Sequence, residues 1–270
     1  MTTTTTILHL SDLHIHRQRW RPENRRLARI VAWILHRYES AAPPPVVVIT
    51  GDLVDDGTRE QYERLLELLA PLKAAGLPIL ACPGNHDSGP MGNSYYVSAR
   101  VDFQRHVLGE VMGIAGTETA SDRMAELFPL VHTIGDARFI GLDSVAGMIG
   151  ESFHFAQGAL GLAQIRKLRA ILATPHAGPT IVYLHHHPFN RLFTECLRDA
   201  EALMGAMKDK VDVVLFGHRH RSALWSPKDG IDVVIAAGKT TEPEGDDKFE
   251  LREVALRGRA PEVSRYHIDL

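Results

Sequence analysis

The feature that most constrains this chain is a repeated order: a short β-branched run, a polar cluster at its end, then an amphipathic helical stripe. Residues 7–10, 46–50 and 78–82 are compact apolar runs. Between the first two, Leu27, Ile30, Val31, Ile34 and Leu35 fall on one face of a helix. Pro43, Pro44 and Pro45 halt any helix and lead into the second run. Tyr62, Leu65, Leu66, Leu69 and Leu72 repeat the stripe, and Gly76 is placed to cap it. Strand–helix–strand–helix–strand predicts an α/β chain with a mainly parallel, doubly covered sheet.

Residues 88–130 break the order. Gly89, Pro90, Gly92 and Asn93 mark a loop, 97–108 carries a helical pattern, and 113–122 is weakly patterned, so this stretch reads as a partial lid. Strands are expected at 130–134, 138–142, 180–184 and 211–216, with helices over 160–172 and 194–207. The runs 223–225, 233–237, 249–256 and 263–268 read as antiparallel β. A length of 270 residues fits a single domain spanning 1–270.

Composition narrows the partners. A net charge of −3 offers no global attraction to nucleic acid or an anionic membrane. No run approaches the ~18 apolar residues that span a bilayer. Met1 followed by five threonines lacks the basic and apolar regions of a signal peptide. Cys82 and Cys196 make no disulfide framework, and a cytoplasmic location is expected. A small-molecule partner is therefore favoured over membrane or nucleic acid, and a homo-oligomer is compatible with all of this.

The polar clusters carry the chemistry. The early runs end in Ser11-Asp12-Leu13-His14, Gly51-Asp52-Leu53-Val54-Asp55 and Gly84-Asn85-His86-Asp87; later ones end in His185-His186-His187-Pro188 and Gly217-His218-Arg219-His220. Ligands of open α/β sheets sit beyond the carboxyl ends of strands, so these five clusters should converge. Carboxylates, imidazoles and one amide, with no thiolate, suit divalent or trivalent Mn, Fe, Zn, Co or Ni. Asp12/His14 and His218/His220 are i, i+2 pairs, which extended chain would point to one side. A lone His or Asp after a strand is ordinarily a turn residue; five such clusters in succession are not explained that way.

The blocks D-x-H, G-D-x-x-D, G-N-H-D, a late His and G-H-x-H, spanning Asp12 to His220, resemble the signature of the calcineurin-like metallophosphoesterases. The resemblance implies a two-sheet β-sandwich flanked by helices, four layers deep (αββα), with two metal ions at the strand ends. It implies that Asp12, His14 and His220 hold one ion, that Asn85, His186 and His218 hold the other, and that Asp52 bridges them. In the family the late ligand commonly lies two residues before a proline, which selects His186; His185 is the alternative, and His187 packs or meets substrate. Asn85 and His86 would contact the phosphate. His86 would be the catalytic acid, with the Asp55 carboxylate orienting it as in a triad. His16 reads as a solvated loop residue or a pocket wall.

Departures refine the branch. In phosphoprotein phosphatases the third block ends in Glu and an Arg follows the second Asp; here those positions are Asp87 and Asp56. The pattern, including Gly141-Leu142-Asp143-Ser144, looks closer to bacterial cyclic-nucleotide and glycerophosphodiester phosphodiesterases. Alternatives are a phosphomonoesterase or a nuclease on the same site, for which the basic run Arg17, Arg19, Arg21, Arg25 and Arg26 is relevant. A non-catalytic scaffold on the same fold is a further alternative, against which stand the retained His86 and the full ligand set.

Overall fold

The structure, a computed structural model, describes residues 4–151, 156–243 and 248–269. The first three residues, on which the reading of the chain start partly rests, lie outside these. The first half follows the repeated order: β1 (Thr5–Leu10), α1 (Pro22–Arg37), β2 (Val46–Thr50), α2 (Arg59–Ala74) and β3 (Ile79–Cys82). Helix α3 (Val97–Phe103) runs on as π-helix through Gln104–Val111, and α4 is Met124–Leu127. Then come β4 (Leu130–Ile134), β5 (Ala137–Gly141), α5 (Leu162–Ala173), β6 (Thr180–Tyr183), α6 (Ala200–Met207) and β7 (Val213–Phe216). Four strands close the order: β8 (Ala223–Trp225), β9 (Val233–Ala236), β10 (Lys248–Arg257) and β11 (Ala260–Asp269).

Two mixed sheets result, ordered β11-β10-β1-β2-β3 and β4-β5-β6-β7-β9-β8. Strands β1, β2 and β3 are parallel, as are β5, β6, β7 and β9. The two-residue strand period divides the second sheet's faces. Phe139, Ile181, Tyr183, Val213, Leu215, Val233 and Ile235 join the core shared with the first sheet, α1 and α2. Their neighbours Ile140, Val182, Val214, Phe216 and Val234 face a second core with Leu168, Leu203 and Met207 from α5 and α6. Each sheet thus has one face on the other and one face under helices, the four-layer αββα sandwich that the resemblance implied.

Three expectations change. The closing strands are only partly an antiparallel group: β10 and β11 form a hairpin that pairs antiparallel with β1, but β9 is parallel to β7. The helix expected over 194–207 begins at Ala200, because Asp199 turns away to accept bonds from the Leu160 and Gly161 N–H groups. Much of the stretch read as a lid is core: Phe103, Val107 and Leu108 are buried against the first sheet and α2. Residues nearer 88–96 lie by the strand ends.

Gly76 ends α2 as the sequence suggests. Its φ is +77°, its N–H bonds the Lys73 carbonyl, and the Leu77 N–H reaches back to Leu72 at 3.1 Å, the double bond of a Schellman cap. A Cβ there meets nothing within 4 Å, so only backbone strain opposes it. Gly76→Ala should lower unfolding stability by about 1 kcal/mol without altering the site, as read from denaturation midpoints.

Candidate metal centre

The loop after β1 lies against the loop after β2. The N–H groups of Asp12, His14 and Ile15 donate to the carbonyls of Gly51, Asp52 and Leu53 at 3.0–3.1 Å. The buried Asp87 carboxylate ties in the loop after β3, accepting from Leu53, Val54 and Gly84 N–H. Burial, then the Asp52 charge, pushes Asp87 up to about 7 despite those donors. Segment 238–241 closes the arrangement from the other side: Ser11 N–H donates to Thr240 Oγ1, and Thr241 Oγ1 donates to the Leu13 carbonyl. Asp87, Ser11, Thr240 and Thr241 were not foreseen as supports; the fourth letter of G-N-H-D was a visible signal for the first, and the threonines carried none.

The donors fall into two groups. In one, His14 Nε2 lies 3.1 Å from His220 Nε2 and 3.8 Å from Asp52 Oδ2, and His220 Nε2 lies 3.3 Å from Asp12 Oδ1. In the other, His185 Nε2 lies 3.2 Å from Asp52 Oδ2, 3.0 Å from Asn85 Oδ1 and 3.1 Å from His218 Nδ1. Atoms bound at about 2.1 Å around one cation stand about 3.0–3.4 Å apart; the second group has this spacing throughout, and the first departs from it only in the 3.8 Å between His14 and Asp52. Asp52 Oδ2 belongs to both. Among the described residues, the buried Asp12 Oδ1 has no hydrogen-bond partner. Buried carboxylates and imidazoles gathered in this way, with only His220 exposed among them, gain from a cation between them.

The backbone pays for this convergence in strain. Asp12, His14, Asp52, His218 and His220 have φ between +46° and +75°, five of the eight positive-φ non-glycine residues described. The i, i+2 pairs therefore meet through left-handed turns, not through the extended chain expected. Glycine is required where the loops touch: a Cβ on Gly84 would lie 2.2 Å from Asp52 Oδ1, and one on Gly51 would lie 2.5 Å from His185 Nδ1.

Two expected roles fall on other atoms. His185, not His186, stands with Asp52, Asn85 and His218. His185 Nδ1 donates to the Thr50 carbonyl at 2.8 Å, which leaves Nε2 as the free donor atom. His186 is buried one residue further on, its Nδ1 2.8 Å from Ser144 Oγ, its ring 4.5 Å from that of His218. Second, His86 Nδ1 donates to the backbone carbonyl of Asp55 at 2.7 Å, while the Asp55 carboxylate lies 3.3 Å from His14 Nδ1 and 3.6 Å from His16 Nδ1. Asp55 thus orients His86 through its main chain, and its side chain supports a candidate ligand. His86 is half-buried beside His14, with ring centroids 4.6 Å apart, and its N–H donates to Asp52 Oδ1.

Charge in the site is unbalanced. Burial opposes ionisation of Asp52, yet His185, His86 and His14 hold its carboxyl well below the usual range. Burial would lower His185, but Asp52 and then Asp12 lift it to about 9. Burial and His185 drive His218 down to about 3. The same carboxylates that raise His185 would attract a cation, and a cation held there would favour the neutral imidazole.

A donor set of this kind, at the strand ends of a two-sheet sandwich, defines a metal-binding phosphoesterase-type centre. The profile of the calcineurin-like phosphoesterases matches residues 5–222, and the chain belongs to that family. A protein of Rhodococcus erythropolis named "Probable cyclic nucleotide phosphodiesterase" is 28% identical over 242 residues, covering 86% of this chain and 69% of that protein. A cAMP/cGMP dual specificity phosphodiesterase of Mycobacterium tuberculosis is 29% identical over 230 residues, 80% of this chain and 62% of its own length. The chain therefore spans only about two thirds of these curated relatives. In fold it is similar to a dimetal phosphatase from Danio rerio, with a TM-score of 0.66 at 17% identity over 97% of this chain and 98% of that one. Among the described residues, no helix is long and apolar enough to cross a membrane.

Two outcomes test the centre. Gly84→Ala, which removes no donor, should lose metal because its Cβ displaces Asp52; metal content after supplementation with Mn or Zn reads this. Titrating metal into chelated protein at pH 7.5 should release protons, and His185→Gln should release fewer, as read in weakly buffered solution with a pH indicator.

Proposed function

We propose that this chain is a dinuclear metal-dependent phosphodiesterase acting on a small phosphodiester of the cyclic-nucleotide or glycerophosphodiester type. The observation that carries this is the sharing of Asp52 Oδ2 between two donor groups, with His86 alongside. Asp12, His14, Asp52 and His220 would hold one cation; Asp52, Asn85, His185 and His218 would hold the other. When bound, such a pair supplies positive charge to a phosphoryl group and acidifies water. Nitrogen and carboxylate donors suit Mn, Fe, Zn, Co or Ni. Phosphodiesterases among the relatives support the substrate class.

The protein's own part is positional. Hydrogen bonding of Nδ1 to the Asp55 carbonyl orients the His86 ring and keeps a proton on Nδ1, so His86 would act as acid in its imidazolium form, giving the Nε2 proton to a departing alkoxide. Asp55 holds both this ring and, through its carboxylate, His14, so the acid and one donor group share a single support.

Diesters are favoured over monoesters by the placement of charge. A monoester is a dianion, and enzymes that select it supply cationic side chains near the reacting phosphate. Asp56 stands where an arginine would, bonded to Gln61 through both its N–H and its carboxylate. Arg219 is drawn to Glu195 at 3.3 Å.

With one metal and one pH, kcat/KM for bis-p-nitrophenyl phosphate should exceed that for p-nitrophenyl phosphate; a tenfold monoester advantage would overturn the diesterase reading. His86→Ala should cost esters with poor leaving groups more than nitrophenyl esters, by up to the ~10²–10⁴-fold that general acids contribute, with metal retained. Equal losses would assign His86 to positioning.

A further inference from the structure

The proposed reaction makes no use of the basic segment between β1 and α1. Its course is fixed by Asn24, a fully buried side chain that accepts from His16 N–H and donates to the carbonyls of His16 and Gln18. The Arg21 N–H closes the turn on the Gln18 carbonyl. The loop is therefore held in shape although its side chains project. Arg19 points away and pairs with Glu67 at 3.1 Å. Arg17 and Arg21, on either side of it, have no carboxylate partner among the described residues; Arg21 lies 5.6 Å from the centroid of the exposed Trp20 ring.

Arg17 and Arg21 line one cavity, of about 290 Å³, with His16, Asp55, Thr58 and Gln61. That is near the lower end of ligand-sized pockets, which run from about 300 Å³. The cavity adjoins the metal centre because Asp55 is common to both, its carboxylate touching His14 on one side and His16 on the other. The acidic groups in its wall are largely engaged: Asp55 by those two imidazoles and Asp56 by Gln61. Glu60 also lines it and is solvent-exposed. Guanidinium is suited to phosphate oxygens, which it grips through paired N–H groups.

We propose that this cavity is a substrate subsite in which Arg17 and Arg21 hold a second, terminal phosphate of the small phosphodiester cleaved at the metal centre. The inference rests on the phosphodiesterase reading and deepens it. Among the described residues the cation beside the centre, Lys239 by His220, is paired with Glu23 and Glu242, while the adjoining cavity has two arginines without carboxylate partners for a dianion further along the molecule. The preferred substrate then carries one diester and one terminal monoester phosphate, and only the diester is cut. A nucleic-acid strand would need cations continuing past this point; the cavity on the far side of the centre, by His220, contains Lys239 but also Glu242 and Glu250.

The test compares thymidine 5′-(p-nitrophenyl phosphate) with the same ester bearing a 3′-phosphate, using the metal-loaded enzyme. Turnover of the first compound tests the diesterase reading by itself. The subsite predicts that the 3′-phosphate raises kcat/KM at least fivefold, chiefly through KM. In Arg17→Gln/Arg21→Gln the ratio should fall to about one, and in Arg17→Glu/Arg21→Glu below one, while Arg19→Gln should keep the wild-type ratio. In chelated protein, thymidine 3′,5′-bisphosphate should bind more tightly than thymidine 5′-phosphate, and the double Gln variant should lose the difference. A ratio near one in the wild type, or one that survives both double variants, overturns the subsite. So does a further rise with longer oligothymidylates, which would indicate a strand in place of a terminal phosphate.

Discussion

A carboxylate that is almost wholly buried must be surrounded by positive charge or lose its own, and Asp52 is such a group. Its Oδ1 accepts the His86 N–H, and its Oδ2 faces His14 and His185 from two sheets. Much of the neighbourhood follows from accommodating it. Gly84 is bare so that the third loop can lie on it, and Gly51 is bare so that His185 can reach it. The left-handed turns at Asp12, His14 and His218 bring the other donors within range. Each of these costs conformational energy that only a bound cation, or a proton on His185, offsets.

Strand placement and the convergence of five clusters were legible because both depend on local pattern. β-Branched runs bury on alternate faces, helical stripes bury on one, and polar residues at the carboxyl ends of parallel strands have nowhere to go but a common edge. Less legible was anything decided by one residue of register. His185 and His186 are identical in type and adjacent, and only the point at which the chain leaves β6 decides which ring faces Asp52. The same holds for Asp55: its spacing from Asp52 announced a support for His86, but whether main chain or side chain provides it depends on a turn that the sequence does not spell out. Thr240 and Thr241 were invisible for a simpler reason. Their partners are 229 and 228 residues away, and nothing in a GKTT stretch marks them as props.

The surroundings of the candidate centre differ on its two sides. By the first two loops the wall is polar and mixed in charge, with Arg17 and Arg21 on a loop whose backbone Asn24 holds. By the later loops, His187, Phe189, Phe216 and Trp225 pack with centroids 4.6–6.2 Å apart and tie the chain just beyond the candidate ligand His185 to the second core. Tyr95, which flanks the third loop, donates its hydroxyl to the Gln157 carbonyl and is therefore part of the rim's framework.

The pairing of β1 has a consequence for how the protein comes into being. That strand, which carries the first pair of donors, lies between β2 and the hairpin of β10 and β11, and its loop is propped by Thr240 and Thr241. During synthesis β1 emerges with one edge unpaired and its loop unsupported, and stays so until residues 248–269 have left the ribosome. Contacts of such long range form slowly, and an exposed apolar edge invites wrong partners meanwhile. Convergence of the donor groups is thus a late event: Asp12 and His14 are made long before the residues that hold their loop in place.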